Sequence, residues 1–332
     1  MNAPSSIESS LISLGCSIFA RGGRRASLVV LIFHRVLPER DPLLPSEPDA
    51  RAFSAQMDLI ATKFNVLALS DGIRKLREQS LPARALCVTF DDGYANNCTV
   101  ALPILAAKGI PATVFIATGF LNGGRMFNDA VIESVRSAPA EFDLRDIGLD
   151  VYRLSDDNSR LDAIERIIQK LKHLEPAARL QSANEISARA GLEDRSELML
   201  SDDQVRRLFK AGIQIGAHTV NHPILTAVDA DTARNEMTAS KRRLEEITGS
   251  PVSVFAYPNG KPTTDYDHTH VALVRDVGFE AALSTAWGAA DRDSDIFQIP
   301  RIAPWDKSAL RYGLRIARGY RQRSYERALI QG

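Results

Sequence analysis

The chain has 332 residues, of which 45% are hydrophobic and 25% are charged, a globular composition long enough for one large α/β domain or two small ones. Its 41 Lys and Arg residues balance its 41 Asp and Glu residues, so the formal net charge is +0, which argues against sequence-independent nucleic-acid binding. The 3 cysteines show no CxxC spacing, which gives no zinc-finger pattern and indicates reduced thiols. No apolar run reaches the roughly 18–20 residues of a membrane span.

The two ends of the chain differ in character from the middle. In residues 1–25 the basic residues follow the apolar stretch, which is the reverse of the order in a secretory signal, so we interpret this region as an amphipathic segment. Residues 311–332 are locally basic and predict a C-terminal helix or tail. We expect a cytoplasmic protein, with peripheral contact to the inner membrane through the N-terminal segment left open. The sequence does not give the oligomeric state.

Short apolar runs rich in β-branched residues recur along the chain, bounded by turn residues. They lie at 27–34, 85–92, 112–118, 213–219, 252–258, 280–285 and 297–302. Continuous apolar runs of this length are typical of buried parallel strands. Helical patterns lie between them, such as the one that begins at Ser201 and ends at Gly212. Strands that alternate with helices predict a parallel α/β fold, here a barrel or near-closed sheet over residues 26–310.

One region interrupts this alternation. Between Leu121 and Leu200 we find no good strand, and helix-like stretches such as 161–174 prevail. We therefore interpret residues 122–200 as a helical insertion in the barrel.

Polar side chains follow several predicted strands at the point where each strand ends, which is where functional groups gather in parallel α/β folds. Asp91 and Asp92 end the second run, His218 and His222 follow the fourth, and His34 ends the first. The spacing of the two later histidines predicts that both imidazoles lie on one side of a helical turn, within reach of one metal ion. Two imidazoles and one carboxylate are the ligands of a catalytic metal that keeps a position for water.

The adjacent carboxylates of Asp91 and Asp92 repel each other, and a chain that needed only a turn would use one of them. One carboxylate can bind the metal, and a bound cation keeps both acids ionised. The other cannot point in the same direction, but it can take the proton of the water beside the ion. We interpret the pair as one metal ligand and one general base.

Three motifs together resemble a known family. The segments TFDDGY (89–94), HTVNH (218–222) and YPNG (257–260) are similar to those of the polysaccharide deacetylases related to the nodulation chitooligosaccharide deacetylase, carbohydrate esterase family four. The resemblance extends from about His34 to Arg301. It implies a deformed (β/α)7 barrel, a divalent metal and removal of acetyl groups from N-acetylated sugars. Zinc is the metal expected, with cobalt and nickel as alternatives.

The resemblance also implies a role for individual residues. Asp91 becomes the base, and the metal ligands become Asp92, His218 and His222. The backbone N–H of the residue before the proline of the third motif, Tyr257, becomes the donor that stabilises the oxyanion.

The chain departs from the commonest pattern of this family in two places. No arginine precedes the third motif, and no histidine follows His270 to act as a late general acid. The arrangement resembles the exopolysaccharide deacetylases whose acid histidine lies on an N-terminal strand, so His34 is our candidate for the general acid. Arg301, in another predicted strand, is our candidate for orienting Asp91.

Asn128 and Asp129 open the insertion and, with Pro258 of the third motif, are candidates for contacting the sugar. The predicted function is metal-dependent removal of N-acetyl groups from a bacterial surface polysaccharide or its precursor. Two alternatives stay open. One is a related deformylase or O-deacetylase that acts on a glycan, and the other is a catalytically inactive carbohydrate-binding barrel.

Overall fold

The computed structural model describes residues 5–23, 26–172, 174, 176–192, 197–303 and 305–329. The chain forms two compact units. The larger unit comprises Met1–Glu39, Ser46–Leu121 and Leu200–Gly332, and the smaller comprises Arg40–Pro45 and Asn122–Met199. No helix among the described residues is both long and apolar enough to cross a membrane.

A parallel sheet forms the centre of the larger unit. The strands of the described chain are β1 Val29–Phe33, β2 Asn65–Val66, β3 Ala85–Phe90, β4 Ala112–Ile116, β5 Glu141–Asp143, β6 Val151–Arg153, β7 Gln214–Ala217, β8 Val254–Ala256 and β9 Ala281–Leu283. The sheet has the order β1-β3-β4-β7-β8-β9, with β2 also paired to β3, and all of these pairings are parallel. Six of the predicted runs therefore form strands, and the short β2 was missed.

The seventh predicted run, at 297–302, joins the two ends of the sheet without forming a regular strand. Ile299 makes a parallel bridge to Leu283 on β9, and Ile302 makes one to Leu31 on β1. The N–H of Ile302 donates to the carbonyl of Val30 at 2.8 Å. Pro300 lies between the two bridges and has no N–H to donate, which explains why no continuous ladder forms. The sheet is thus a curled, deformed barrel, and the predicted fold class is confirmed.

Alternate residues of each strand face two different apolar layers. On β3, Leu86, Val88 and Phe90 belong to the cluster that includes residues of the surrounding helices. Cys87 belongs to the second cluster, half of whose buried residues lie on strands, such as Phe115. Because side chains alternate along a strand, Thr89 and then Asp91 continue the row that contains Cys87. The sequence period therefore directs Asp91 into the interior of the barrel.

Helices surround the sheet and form most of the smaller unit. They are α1 Ser6–Phe19, α2 Ala50–Lys63, α3 Leu69–Arg77, α4 Leu102–Ala107, α5 Phe127–Ser137, α6 Asp157–Lys172, α7 Pro176–Arg189, α8 Asp202–Lys210, α9 Ala230–Thr248, α10 His268–Asp276 and α11 Ala309–Gly319. A π-helical turn at Asn97–Ala101 precedes α4. Ser201, where this helix was predicted to begin, caps α8, since its side chain accepts a hydrogen bond from the N–H of Gln204.

The smaller unit contains α5, α6 and α7, as well as a short hairpin. The prediction that no strand lies between Leu121 and Leu200 was wrong, because β5 and β6 pair in an antiparallel two-stranded sheet. Each strand has three residues, which is too short for a periodic pattern to stand out. Phe142 and Tyr152 lie opposite each other in this hairpin and are both buried in the apolar core of the unit.

Candidate active site

The turn after β3 directs two neighbouring carboxylates to different places. Asp91 still follows the strand, and its N–H donates to the carbonyl of Phe33 on β1 at 2.9 Å. Asp92 and Gly93 leave the strand with φ angles of 72° and 87°. These left-handed conformations reverse the chain, and a non-glycine residue adopts one only where its surroundings impose it. The two side chains therefore leave the backbone in different directions, as the two-role interpretation requires.

Asp91 forms a buried, two-pronged ion pair with Arg301. Nη1 and Nη2 of the arginine donate to Oδ1 and Oδ2 of the aspartate, each at 2.7 Å. The third donor of the guanidinium, Nε, bonds the carbonyl of Ser284 at 2.9 Å. Arg301 has a relative exposure of 1%, so these contacts replace water around its charge. The structure thus joins the two residues as the sequence analysis suggested.

The ion pair keeps Asp91 ionised although it is buried. Burial by itself raises the pKa of its carboxyl, but the charges of Arg301, His218 and His34 outweigh burial, so the pKa lies below its usual range. A carboxyl with a lowered pKa carries its charge at neutral pH and at mildly acid pH. Asp91 is therefore present as a proton acceptor over this whole range.

His218 and His222 lie on a loop, so the prediction that they share a helical turn was wrong. Residues 218–222 follow β7 without helical hydrogen bonding, and both Thr219 and His222 have left-handed φ angles, of 65° and 52°. The hydroxyl oxygen of Thr219 accepts a hydrogen bond from the N–H of His222 at 3.1 Å. This bond helps to close the loop, and the rings of His218 and His222 come together with centroids 4.8 Å apart.

A backbone carbonyl orients His218. Its Nδ1 lies 2.7 Å from the carbonyl oxygen of Ala256 at the end of β8. A carbonyl can only accept, so Nδ1 carries the hydrogen, and the lone pair of a neutral ring is on Nε2. That Nε2 lies 3.4 Å from Oδ1 of Asp92. A hydrogen bond from the other ring nitrogen to a carbonyl commonly fixes the tautomer of a metal-binding histidine.

Asp92, His218 and His222 fit a divalent cation. One ligand atom of each lies within 4.8 Å of the others, and Nε2 of His222 lies 3.5 Å from Oδ1 of Asp92. Tetrahedral zinc with ligands at about 2.0–2.1 Å holds its donor atoms about 3.3 Å apart. The 3.4 Å and 3.5 Å separations are close to that value.

The charge of the three donors also suits a cation. Burial raises the pKa of Asp92, but its bond to His218 and the charges of His222 and His34 outweigh burial, and the net pKa is lowered. Burial lowers the pKa of His222 to about 4, so this ring is neutral at pH 7. Burial also disfavours the charged form of His218, yet the nearby carboxylates outweigh it, and its pKa is raised. The cluster has an ionised carboxylate and attracts positive charge.

Glu236 on α9 holds the loop between the two histidines. Its Oε2 accepts hydrogen bonds from the N–H groups of Val220 and Asn221, both at 2.8 Å, and Oε1 accepts one from the Asn221 amide at 2.7 Å. Sequence reasoning missed this residue. The contact spans 15 or 16 positions, and nothing in the polar face of α9 distinguishes this glutamate from its neighbours.

His34 has an exposed side chain at the end of β1. Its charge contributes to lowering the pKa of both Asp91 and Asp92, which shows that its ring lies within electrostatic range of the site. The amide of Asn97 fixes the backbone here by donating to the carbonyl of His34 at 2.9 Å. Glu47 is a further acid in this region, and its Oε2 accepts a hydrogen bond from the N–H of Arg35 at 3.2 Å.

The proposed oxyanion donor needs a correction. The N–H of Tyr257 donates to the carbonyl of Leu283 at 3.1 Å, so the sheet already uses the group that the resemblance indicated. Pro258 has no N–H. The next backbone donor is Asn259, whose N–H has no hydrogen-bond partner within the part of the chain that the structure describes. Asn259 has a left-handed φ of 56° and is exposed.

The remaining candidates lie in different places. Pro258 is buried in the turn after β8 and belongs to the larger unit. Asn128 and Asp129 lie in the first turn of α5 in the smaller unit, where Asp129 is buried and Asn128 partly exposed. Their contact with a sugar stays a prediction.

Comparison with known proteins agrees with the fold. The family model described as Polysaccharide deacetylase matches residues 78–282. YxkH of Bacillus subtilis (strain 168), named as a proposed polysaccharide deacetylase, is 19% identical over 288 residues, which is 86% of this chain and 74% of YxkH. Two solved structures share the fold. IcaB from Ammonifex degensii has a TM-score of 0.58 at 20% identity, covering 90% of this chain and 98% of its own. The deacetylase PplD of Streptococcus pyogenes has a TM-score of 0.56 at 19% identity, covering 84% and 92%.

Replacing Arg301 by Gln should move the acid limb of activity to higher pH. The substitution removes the guanidinium but leaves the burial that raises the pKa of Asp91. The carboxylate then takes up its proton at a higher pH, and the acid limb of kcat/KM should move with it. The measurement is kcat/KM against pH for the wild type and the variant.

Arg301→Lys is the companion variant, because breaking a buried pair costs about 3–5 kcal/mol of folding free energy and the Gln variant is at risk of unfolding. Lysine keeps the charge but not the two-pronged contact, so its acid limb should move less. A folded Arg301→Gln protein with the wild-type acid limb would show that this pair does not set the protonation of Asp91.

Replacing Glu236 by Ala should weaken metal binding. The loop between His218 and His222 loses three hydrogen bonds, so the two rings are held less well in place. Loss of such supporting contacts typically lowers metal affinity by about 10–100-fold. Competition with a chromogenic chelator measures the affinity directly. Glu246→Ala is the matched control, since Glu246 lies on the same helix and pairs only with the exposed Arg242 in the described structure. Equal affinities for both variants would contradict the assignment.

Proposed function

Because the chain belongs to the polysaccharide deacetylase family, and so to a family of hydrolases, we propose that it removes N-acetyl groups from an N-acetylated sugar of a bacterial surface polysaccharide or its precursor. We propose further that it does so with a divalent cation, zinc in the first place, held by Asp92, His218 and His222. Cobalt and nickel suit the same donors.

One observation carries this proposal. A second carboxylate, Asp91, stands beside the three donors without belonging to them, since its Oδ2 lies 4.0 Å from Nε2 of His218 and is bound by Arg301. A site that only held a cation, or a barrel that only bound a carbohydrate, would not need a buried and oriented base at that place. Hydrolysis of an amide does need one, because the attacking water must lose a proton.

Different residues of the chain have different roles in the proposed reaction. A bound divalent cation supplies Lewis acidity, which polarises the amide carbonyl and makes water easier to deprotonate. Asp91 accepts the proton of the attacking water, and Arg301 keeps its carboxylate ionised and pointed toward the reaction. The negative charge that develops on the former carbonyl oxygen needs a hydrogen-bond donor. The N–H of Asn259 is our candidate, because it is the first backbone donor after Tyr257 that is not used within the described structure.

The leaving amine needs a proton when the C–N bond breaks, and His34 is our candidate for the acid. Its side chain is exposed at the end of β1, so a sugar can reach it, and its charge acts on both Asp91 and Asp92. The histidine gives a proton to the amine nitrogen as the C–N bond breaks. Acetate and the free amine are the products.

The proposal predicts that substitution of the two aspartates has different effects on metal content and turnover. Asp92→Asn should lose bound metal and activity together, because a neutral amide replaces the only carboxylate ligand. Asp91→Asn should keep one equivalent of metal but lose about 10²–10⁴-fold in turnover. The measurements are acetate release from N-acetylglucosamine oligomers and the metal content of each purified protein. Loss of metal in Asp91→Asn with retention in Asp92→Asn would mean that the two roles are reversed.

The products also separate the alternatives. Formate in place of acetate would identify a deformylase, and release from O-acetylated but not N-acetylated sugars would identify an O-deacetylase. A metal-loaded wild type that binds the oligomers and releases no acid from any acylated sugar would mean an inactive carbohydrate-binding barrel. Melting temperatures of the variants are the control, because Asp91→Asn leaves the buried charge of Arg301 without its counter-charge.

The role of His34 can be tested through the leaving group. His34→Gln should lower the turnover of an N-acetyl sugar by about 10²–10⁴-fold, while hydrolysis of an aryl acetate, whose leaving group needs no proton, should fall much less. Metal content should not change. His268→Gln is the matched control, because His268 is an exposed histidine at the start of α10. If the variant slows both substrates equally, His34 is not the acid.

A further inference from the structure

Helix α1 exposes a continuous apolar stripe. Its members are Ile7, Leu11, Leu14 and Ile18, with relative exposures of 73%, 45%, 58% and 52%. They are spaced by four, three and four positions, so they share one face of the helix. A single exposed leucine is ordinary, but a row of four large apolar side chains on one helix face indicates a surface that something covers.

The stripe is not the face by which α1 joins its own fold. Ile12 and Cys16 on another side of the helix are buried, and α1 packs against α11. The packing is close, since a Cβ at Gly15 would stand 3.2 Å from the side chain of Leu314, and one at Gly313 would stand 2.9 Å from Ile12. The helix thus already has its intramolecular partner and holds the stripe outward on a fixed support.

Cations border the stripe on the neighbouring helix. Residues 307–325 contain six Lys and Arg residues and no Asp or Glu. Arg311 and Arg318 lie seven positions apart on α11, so they share a face, and both are exposed. Neither forms an ion pair with any residue that the structure describes. Leu314, which contacts α1 at Gly15, lies between them on the same face.

Two further cations contact α1 itself. Nζ of Lys63 donates to the hydroxyl of Ser13 at 3.0 Å, and the guanidinium of Arg321 lies 5.1 Å from the ring centroid of Phe19. Within α1 the one charged residue is Glu8, and its carboxylate caps the start of the helix by accepting from the N–H of Ser5. The apolar stripe is therefore set among basic side chains.

We propose that α1 and the outer face of α11 form a docking surface for an anionic lipid bilayer. The four apolar side chains enter the boundary between head groups and acyl chains, and the arginines contact the lipid phosphates. An apolar helix face or a basic patch alone gives weak, reversible binding, whereas the two together give stable association. The surface holds the enzyme at a membrane without crossing it.

Charge and size favour a bilayer over a second copy of the chain. A symmetric dimer through the stripe would bring the same arginines of both copies together, which is unfavourable. One row of four side chains also covers much less than the roughly 1,000 Å² expected of a stable protein interface. A membrane of anionic lipid supplies the missing negative charge, and binding to it does not require the buried area of a protein interface.

Vesicle sedimentation tests the proposal with the full chain. The wild type should bind vesicles of phosphatidylcholine with about 30% phosphatidylglycerol in about 0.1 M salt, bind pure phosphatidylcholine at least about tenfold more weakly, and dissociate in about 1 M salt. Leu11→Gln with Leu14→Gln, and separately Arg311→Gln with Arg318→Gln, should each reduce binding about tenfold or more. All of these residues are exposed, so the melting temperature and the release of acetate from soluble oligomers should not change.

Leu180→Gln with Arg242→Gln is the matched control, since it removes an exposed leucine of α7 and an exposed arginine of α9 and should bind as the wild type does. The proposal is wrong if the wild type ignores anionic vesicles, or if the stripe variant binds them equally well. It is also wrong if light scattering gives a dimer that the stripe variant converts to a monomer, with no vesicle binding by either. Activity on soluble oligomers is measured separately, so loss of the membrane result does not bear on the proposed reaction.

Discussion

The buried pair of Arg301 and Asp91 links the closure of the barrel to the chemistry of the site. Arg301 belongs to the segment that bridges the first and last strands, and Asp91 ends the strand beside the first. A guanidinium at 1% exposure is tolerated only where a carboxylate and good hydrogen bonds compensate its charge. Closure of the barrel in this register therefore places the guanidinium against Asp91, where it helps His218 and His34 to keep that carboxyl ionised.

The same arrangement explains why the carboxylates of two adjacent aspartates reach different partners. Asp91 lies in the inward row of β3, where the strand period places it. Asp92 would point outward if the strand continued, but its left-handed φ turns the chain, and its carboxylate meets His218 and His222 instead. Both acids can be buried because each has its own partner. The guanidinium of Arg301 compensates the charge of Asp91, and the imidazole of His218 compensates that of Asp92.

The features that could be predicted from the sequence are those that depend on strong local patterns. Continuous apolar runs identified six strands of the sheet, and the motif residues 91, 92, 218 and 222 come together as expected. Prediction failed where the backbone conformation or a distant contact decides. The left-handed φ of Thr219 and His222 has no glycine to signal it, so a helical turn was expected in place of a loop. Glu236 reaches this loop from another element, and the use of the Tyr257 N–H depends on how β8 meets β9, which no local spacing reveals.

The charge of the site means that a bound cation would compete with protons there. Arg301 balances Asp91, and the charge of Asp92 is left for His218 and His222. Without a cation, the carboxylates of Asp91 and Asp92 together favour a proton on His218 and raise its pKa despite burial, whereas burial lowers the pKa of His222 to about 4. A divalent cation would give more charge to the same three donors, but His218 would have to release that proton first. A cation held by these donors would therefore bind more weakly as the pH falls.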